Sequence, residues 1–217
     1  MLTGNDVRRV ELTPAAHARP ARRGLGGAAG NGRLTSLAGL ALLVLLAVEG
    51  ATIPAIRPLL SVHIFVGMLL LGPVALKLAS TGYRFFRYYT GSREYVRQGP
   101  PAPLMRVLVA PVLVLSTLTL FGSGVLLIAT SQRGPLLGLH KASFVVWFGA
   151  TSIHVLAYTL RALSHVRADL GARRAGGRRL RLLALLLAVA GGAAVAVATY
   201  PLAHPWLHSH LLYSGLG

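Results

Sequence analysis

The run LLGLHKASFVVWFGATSIHVLAYTLRAL, Leu136 to Leu163, decides how the rest of the chain is read. It is apolar, of helix length, and carries His140 and His154 fourteen positions apart. At about 100° and 1.5 Å per residue this is nearly four turns, so both imidazoles share one face roughly 21 Å apart along the axis. The run PLLSVHIFVGMLLLGPVALKLAST, Pro58 to Thr81, repeats the spacing with His63 and Lys77. Two such helices running in the same direction set His63 level with His140 near one membrane surface, and Lys77 level with His154 near the other. That lattice is what a bundle needs to hold porphyrin iron between its helices.

Working outward, the chain holds five apolar runs, each close to the roughly 20 residues that a bilayer requires. They are about Leu34–Ile53, Pro58–Thr81, Leu104–Ala129, Leu136–Leu163 and Leu180–Tyr200. The 217 residues are 54% hydrophobic and 12% charged, the composition of a membrane protein. A formal net charge of +17 invites a nucleic-acid reading, but the basic residues lie between apolar runs and form no basic and aromatic binding face. Nucleic acid is therefore excluded as a partner, and a lipid membrane is expected. The absence of cysteine rules out disulfides, thiolate-held clusters and covalent c-type haem attachment.

The connections set the expected orientation. Arg57 and Arg133 stand alone in the first and third links, whereas the second holds Arg84, Arg87, Arg93, Arg97 and Arg106. The fourth adds Arg161, Arg167, Arg173, Arg174, Arg178, Arg179 and Arg181. By the positive-inside rule the N-terminus is cytoplasmic and the C-terminus outside, which makes the second and fourth spans parallel. Residues 1–33, rich in Arg, Gly, Ala and Pro, read as a disordered basic tail. The loop from Gly82 to Pro103 reads as an interfacial anchor, and residues 201–217 as a short outer-face tail.

Ionisable side chains inside a span are costly and default to functional candidates. His63 and His140 are expected to clamp the iron of one haem b near the outer surface. His154 is open between a ligand of a second haem, a quinone hydrogen-bond partner and a packing histidine. Lys77 either snorkels to the interface, pairs with a propionate, or ligates iron as a neutral amine. Glu49, at the end of the first run, suggests a proton or quinone site, or a carboxylate paired with Arg57. Gly67, Gly122, Gly124 and Gly149 provide close approach for a macrocycle or a neighbouring helix. Pro73 and Pro111 should bend their helices. His204, His208 and His210 form a loose histidine tail without a defined scaffold.

Parallel spans with histidines at this spacing resemble the b-type cytochrome membrane subunits, including the cytochrome b561 and ferric-reductase-like families and the membrane subunits of respiratory molybdoenzymes. The resemblance covers about residues 58–163 and rests on His63, His140 and His154. The stretch KLASTGYRFFRYYTG, Lys77 to Gly91, also resembles a group of actinobacterial membrane proteins of uncharacterised role. Dihaem members of the class usually place histidine at all four ligand positions, and here the fourth is Lys77. The class implies transmembrane electron transfer in a bacterial cytoplasmic membrane, with a quinone pool or a redox partner protein. With no nucleotide-binding motif, the chain is expected to be a subunit rather than a complete enzyme. The rival expectations are a haem-free membrane scaffold or assembly protein, and a small transporter or metal-handling protein using Glu49, Lys77, His154 and the histidine tail.

Overall fold

The structure is a computed structural model describing residues 26–99, 103–131, 134–171 and 177–207, the side chains of 169 and 170 aside. Among them there is no strand. Four helical stretches are long and apolar enough to cross a membrane: Gly27–Tyr89, Met105–Thr130, Pro135–Ala168 and Arg178–Leu207. The chain is a multi-pass helical membrane protein. Its outward side chains agree, with Leu156 and Leu160 being 83% and 81% exposed, an arrangement costly in water and favourable against acyl chains.

The first stretch is folded back on itself. Helix α1, Gly27–Thr52, meets α2, Ile56–Tyr89, across a 3₁₀ turn at Ile53–Ala55 that contains Pro54. Residues equidistant from Ile56 then face each other. Asn31 Nδ2 donates to Ser80 O (3.0 Å), Lys77 Nζ to Thr35 O (2.7 Å), and His63 reaches Glu49. Helix α1 starts seven residues before the expected apolar boundary, so residues 27–33 belong to the bundle rather than to a tail. The cause is tertiary: Gly30 and Asn31 are buried, and the Asn31 amide is spent on α2. Residues 1–25 lie outside the described residues.

Helix α2 also outruns its expected end at Thr81, continuing through RFFRYY to Tyr89, and the short α3, Arg93–Arg97, folds back beneath it. Arg87 ties the two together, donating from Nη2 to Ser92 Oγ (3.0 Å) and lying over the Tyr95 ring (6.0 Å to the centroid). The loop expected there is thus largely helical.

Helix α4, Ala110–Thr130, is entered through a π-helical turn at Met105–Val109. Pro111 cannot donate to the carbonyl four residues back, and the wider turn absorbs that lost bond. Helix α5, Pro135–Gly171, returns antiparallel to α4, with Trp147 Nε1 donating to Thr117 Oγ1 (3.0 Å).

Helix α6, Arg178–Thr199, packs on the flank of α2. The contact is backbone to backbone: a Cβ at Gly72 would strike Ala188 O, and one at Gly192 would strike Leu69 O. Leu69 is the residue whose carbonyl Pro73 leaves without its helical donor, and glycine is what lets α6 close over it. Phe65 and Tyr200 extend the seam, edge to face at 6.3 Å. Beyond α6, Trp206 Nε1 donates to Leu127 O (3.0 Å), pinning the described end of the chain to α4.

These contacts give a four-cornered arrangement. Helix α1 touches α2 and α5, and α4 touches α2 and α5. Helices α2 and α5 occupy opposite corners without extended packing on each other, as do α1 and α4. Because α2 is antiparallel to α1, and Ser36 of α1 meets His165 near the far end of α5, α2 and α5 run in the same direction.

Candidate functional site

The two histidine-bearing helices are therefore the diagonal pair, the place where a bundle builds core sites from facing side chains. His63 on α2 and His140 on α5 lie close enough to interact electrostatically, and so do Lys77 and His154.

Each of the first two imidazoles is held by its antiparallel neighbour. His63 Nδ1 lies 3.0 Å from Glu49 Oε1 and 2.9 Å from Thr52 Oγ1. The Thr52 hydroxyl spends its proton on Glu49 O (2.6 Å) and so can only accept from the ring. His140 Nδ1 lies 3.1 Å from Leu120 O and 3.1 Å from Ser123 Oγ, whose own proton goes to Leu120 O (3.0 Å). Both arrangements surround Nδ1 with acceptors, so Nδ1 is the donor, and in the neutral ring that leaves the lone pair on Nε2. A hydroxyl three residues after the other acceptor is the shared device: Glu49 with Thr52, Leu120 with Ser123. Thr52 and Ser123 were not among the residues expected from sequence. Folding each apolar pair about its turn would have led to them, since 49 falls opposite 63 with Thr52 one turn further along α1, and 123 falls opposite 140 across the second turn.

Glu49 is 15% exposed and turns to His63 (24% exposed) rather than to Arg57, which corrects the carboxylate–arginine expectation. Its Oε2 is buried with no hydrogen-bond partner among the described residues. Gly67 makes room for it, since a Cβ there would sit 3.3 Å from Oε1. Gly124 does the same for His140, at 3.3 Å from Cε1. Gly122 and Gly149 face open space.

No protein-family model, curated protein or solved structure matches the chain.

The inner pair is built differently. Lys77 Nζ donates to Thr35 O (2.7 Å) and lies against Gly39, where a Cβ would sit 2.8 Å from the amine. This ammonium spans the α1–α2 seam and satisfies a helix carbonyl. His154 stacks beside Tyr158, 4.9 Å between ring centroids, and neither ring nitrogen has a hydrogen bond among the described residues. One turn earlier, Thr151 Oγ1 is buried with no hydrogen-bond partner among the described residues. Among the described residues no three His, Cys, Asp or Glu side chains converge as a bare metal ion would need. His204 is exposed; His208 and His210 lie outside the described residues.

Metal-bound histidine characteristically donates its second ring N–H to a carboxylate or a main-chain carbonyl, which fixes the tautomer and raises ligand basicity. His63 and His140 do one each, from helices held apart at opposite corners. Lys77 carries no such preparation.

Proposed function

We propose that this chain is a b-type haem membrane cytochrome, in which His63 and His140 would hold the iron, moving electrons across or within a bacterial cytoplasmic membrane. The geometry supporting this is that both imidazoles, on diagonal helices, turn Nδ1 to acceptors, which in the neutral ring leaves the Nε2 lone pair for iron. Bound there, haem b supplies a one-electron carrier that alternates between ferrous and ferric iron. Glu49 and the Leu120 carbonyl orient the two rings, Thr52 and Ser123 complete the acceptor sets, and the apolar faces of α2, α4 and α5 keep water away. Gly124 allows the His140 ring to approach α4 closely.

The reading includes five crossings, with α1 and α2 as separate spans folded at Ile53–Ala55, the N-terminus cytoplasmic and the C-terminus outside. The arginine-rich connections after α2 and α5 support it. Electrons would then enter from a quinol or a redox partner protein, the chain acting as a subunit. His154 and Lys77 are the weaker site for a second haem, because Lys77 is committed to the Thr35 carbonyl.

A reduced-minus-oxidised absorption spectrum of the detergent-purified chain, with haem quantified, tests the proposal. About one haem per chain, lost in both His63→Ala and His140→Ala, is expected. The second reading is a haem-free scaffold, favoured by the fact that the same hydrogen bonds cement the α1–α2 and α4–α5 hairpins. Colourless protein after expression with ample haem would select it.

A further inference from the structure

The hairpin between α2 and α3 holds a recess that the haem reading does not use. Past the apolar run ending at Thr81, α2 continues as GYRFFRYY, with Tyr83, Phe85, Phe86 and Tyr89 all more than half exposed. Aromatic side chains in such a position belong to the headgroup layer. Gly91, in the left-handed region at φ 75°, lets the chain reverse, and α3 returns far enough for Tyr95 to stand edge to face with Tyr83 at 6.0 Å. Tyr83 is only two residues beyond the apolar run, so α3 lies at headgroup depth rather than out in water. Arg87 fixes the reversal through Ser92 and the Tyr95 ring.

The recess measures about 400 Å³ and is lined by Gly91, Arg93, Val96 and Arg97. Arg93 and Arg97 are exposed and stand one turn apart on α3, so both guanidinium groups border the same space. Among the described residues neither has an ion pair or a hydrogen bond. The segment from Gly82 to Pro103 sets a single acid, Glu94, against Arg84, Arg87, Arg93 and Arg97. Guanidinium forks match phosphate oxygens in geometry as well as charge, so two of them beside one cavity suit a phosphate group. The surroundings choose between a free phosphate and an esterified one. Val96, 46% exposed, gives the recess an apolar wall, and the aromatic rings of α2 stand in the same layer. A free ion gains nothing from these, whereas a phospholipid presents its phosphate at this depth and covers apolar surface beside it.

We infer that Arg93 and Arg97, beside the recess walled by Gly91 and Val96, bind the phosphate of an anionic glycerophospholipid in the headgroup layer. The site is independent of haem.

The test uses the full chain in nanodiscs containing phosphatidylcholine and phosphatidylglycerol, with lipid retained after detergent exchange measured by mass spectrometry. Phosphatidylglycerol should be retained preferentially, and R93Q/R97Q should weaken that retention by about tenfold. R167Q/R179Q, which removes the same charge from the exposed ends of α5 and α6, should leave it unchanged, and inorganic phosphate should not displace the lipid. Equal retention of the two lipids, equal loss in both double variants, or displacement by inorganic phosphate would overturn the inference. On the wild-type chain, so that no variant's folding matters, a phosphatidylglycerol with a photoactivatable headgroup should label residues 91–97 above the arginine-rich connection after α5. Labelling confined to other segments would equally overturn it.

Discussion

His63 and His140 receive the same treatment from different materials. Each presents Nδ1 to a hydroxyl and a second acceptor on the antiparallel neighbour, but for His63 that acceptor is the Glu49 carboxylate, and for His140 the Leu120 main-chain carbonyl. Lys77 and His154 have the same fourteen-residue spacing and neither device. The comparison teaches that spacing puts groups at one depth, and that the neighbour across the hairpin turn decides whether a ring nitrogen is made ready for a ligand.

The strongest way to break the comparison is to remove the rings. His63→Ala or His140→Ala should abolish haem absorbance, whereas His154→Ala should leave it in place; loss of all colour in His154→Ala would move ligation to the inner level. The next effect separates the two supports. Glu49→Ala should weaken haem binding about tenfold or more, read as the rate of haem transfer to a scavenging globin, because it strips His63 of its charged acceptor. Ser123→Ala should cost much less, since the Leu120 carbonyl remains for His140.

Lys77→Met should then cost about 1–3 kcal/mol of stability in a detergent denaturation series, the value of a charged hydrogen bond, with the haem spectrum unchanged. An altered spectrum would make the inner amine a ligand after all. The smallest effect is expected at Gly124→Ala. The new methyl crowds His140 Cε1 at 3.3 Å, at about 1 kcal/mol, and a similar gain in helix propensity offsets it. Stability should hardly change, while the ferric electron paramagnetic resonance signal should shift as the ring turns.

The apolar runs, the histidine spacing and the parallel direction of α2 and α5 could be read directly, because bilayer length and helical period leave few alternatives. The start of α1 could not. Nothing in GAAGNGR resembles a membrane helix, and its conformation follows from Asn31 meeting Ser80, 49 positions away in the chain. The end of α2 was obscured by Gly82 and the dense aromatic and basic residues, which suit a loop and an interfacial helix equally. The Glu49–His63 contact lay within reach: both stand seven residues from Ile56, and the turn at Pro54 announces the fold-back. It was missed because Arg57 is nearer in sequence and of opposite charge, yet it lies on the wrong side of the turn to meet the carboxylate.

The crossing of Gly72 and Gly192 bears on how the chain is made. Helices leave the ribosome in order, so α2 enters the bilayer well before α6 exists. During that interval the Leu69 carbonyl, deprived of a donor by Pro73, faces hydrocarbon, and α2 carries a weak point in its middle. Helices α1 and α4 can pack on α2 meanwhile, with α5 held against those two, so four corners of the bundle can assemble while one flank of α2 is still open. The arrival of α6 then covers the weak point last, which makes maturation a matter of sequence in time as well as in space.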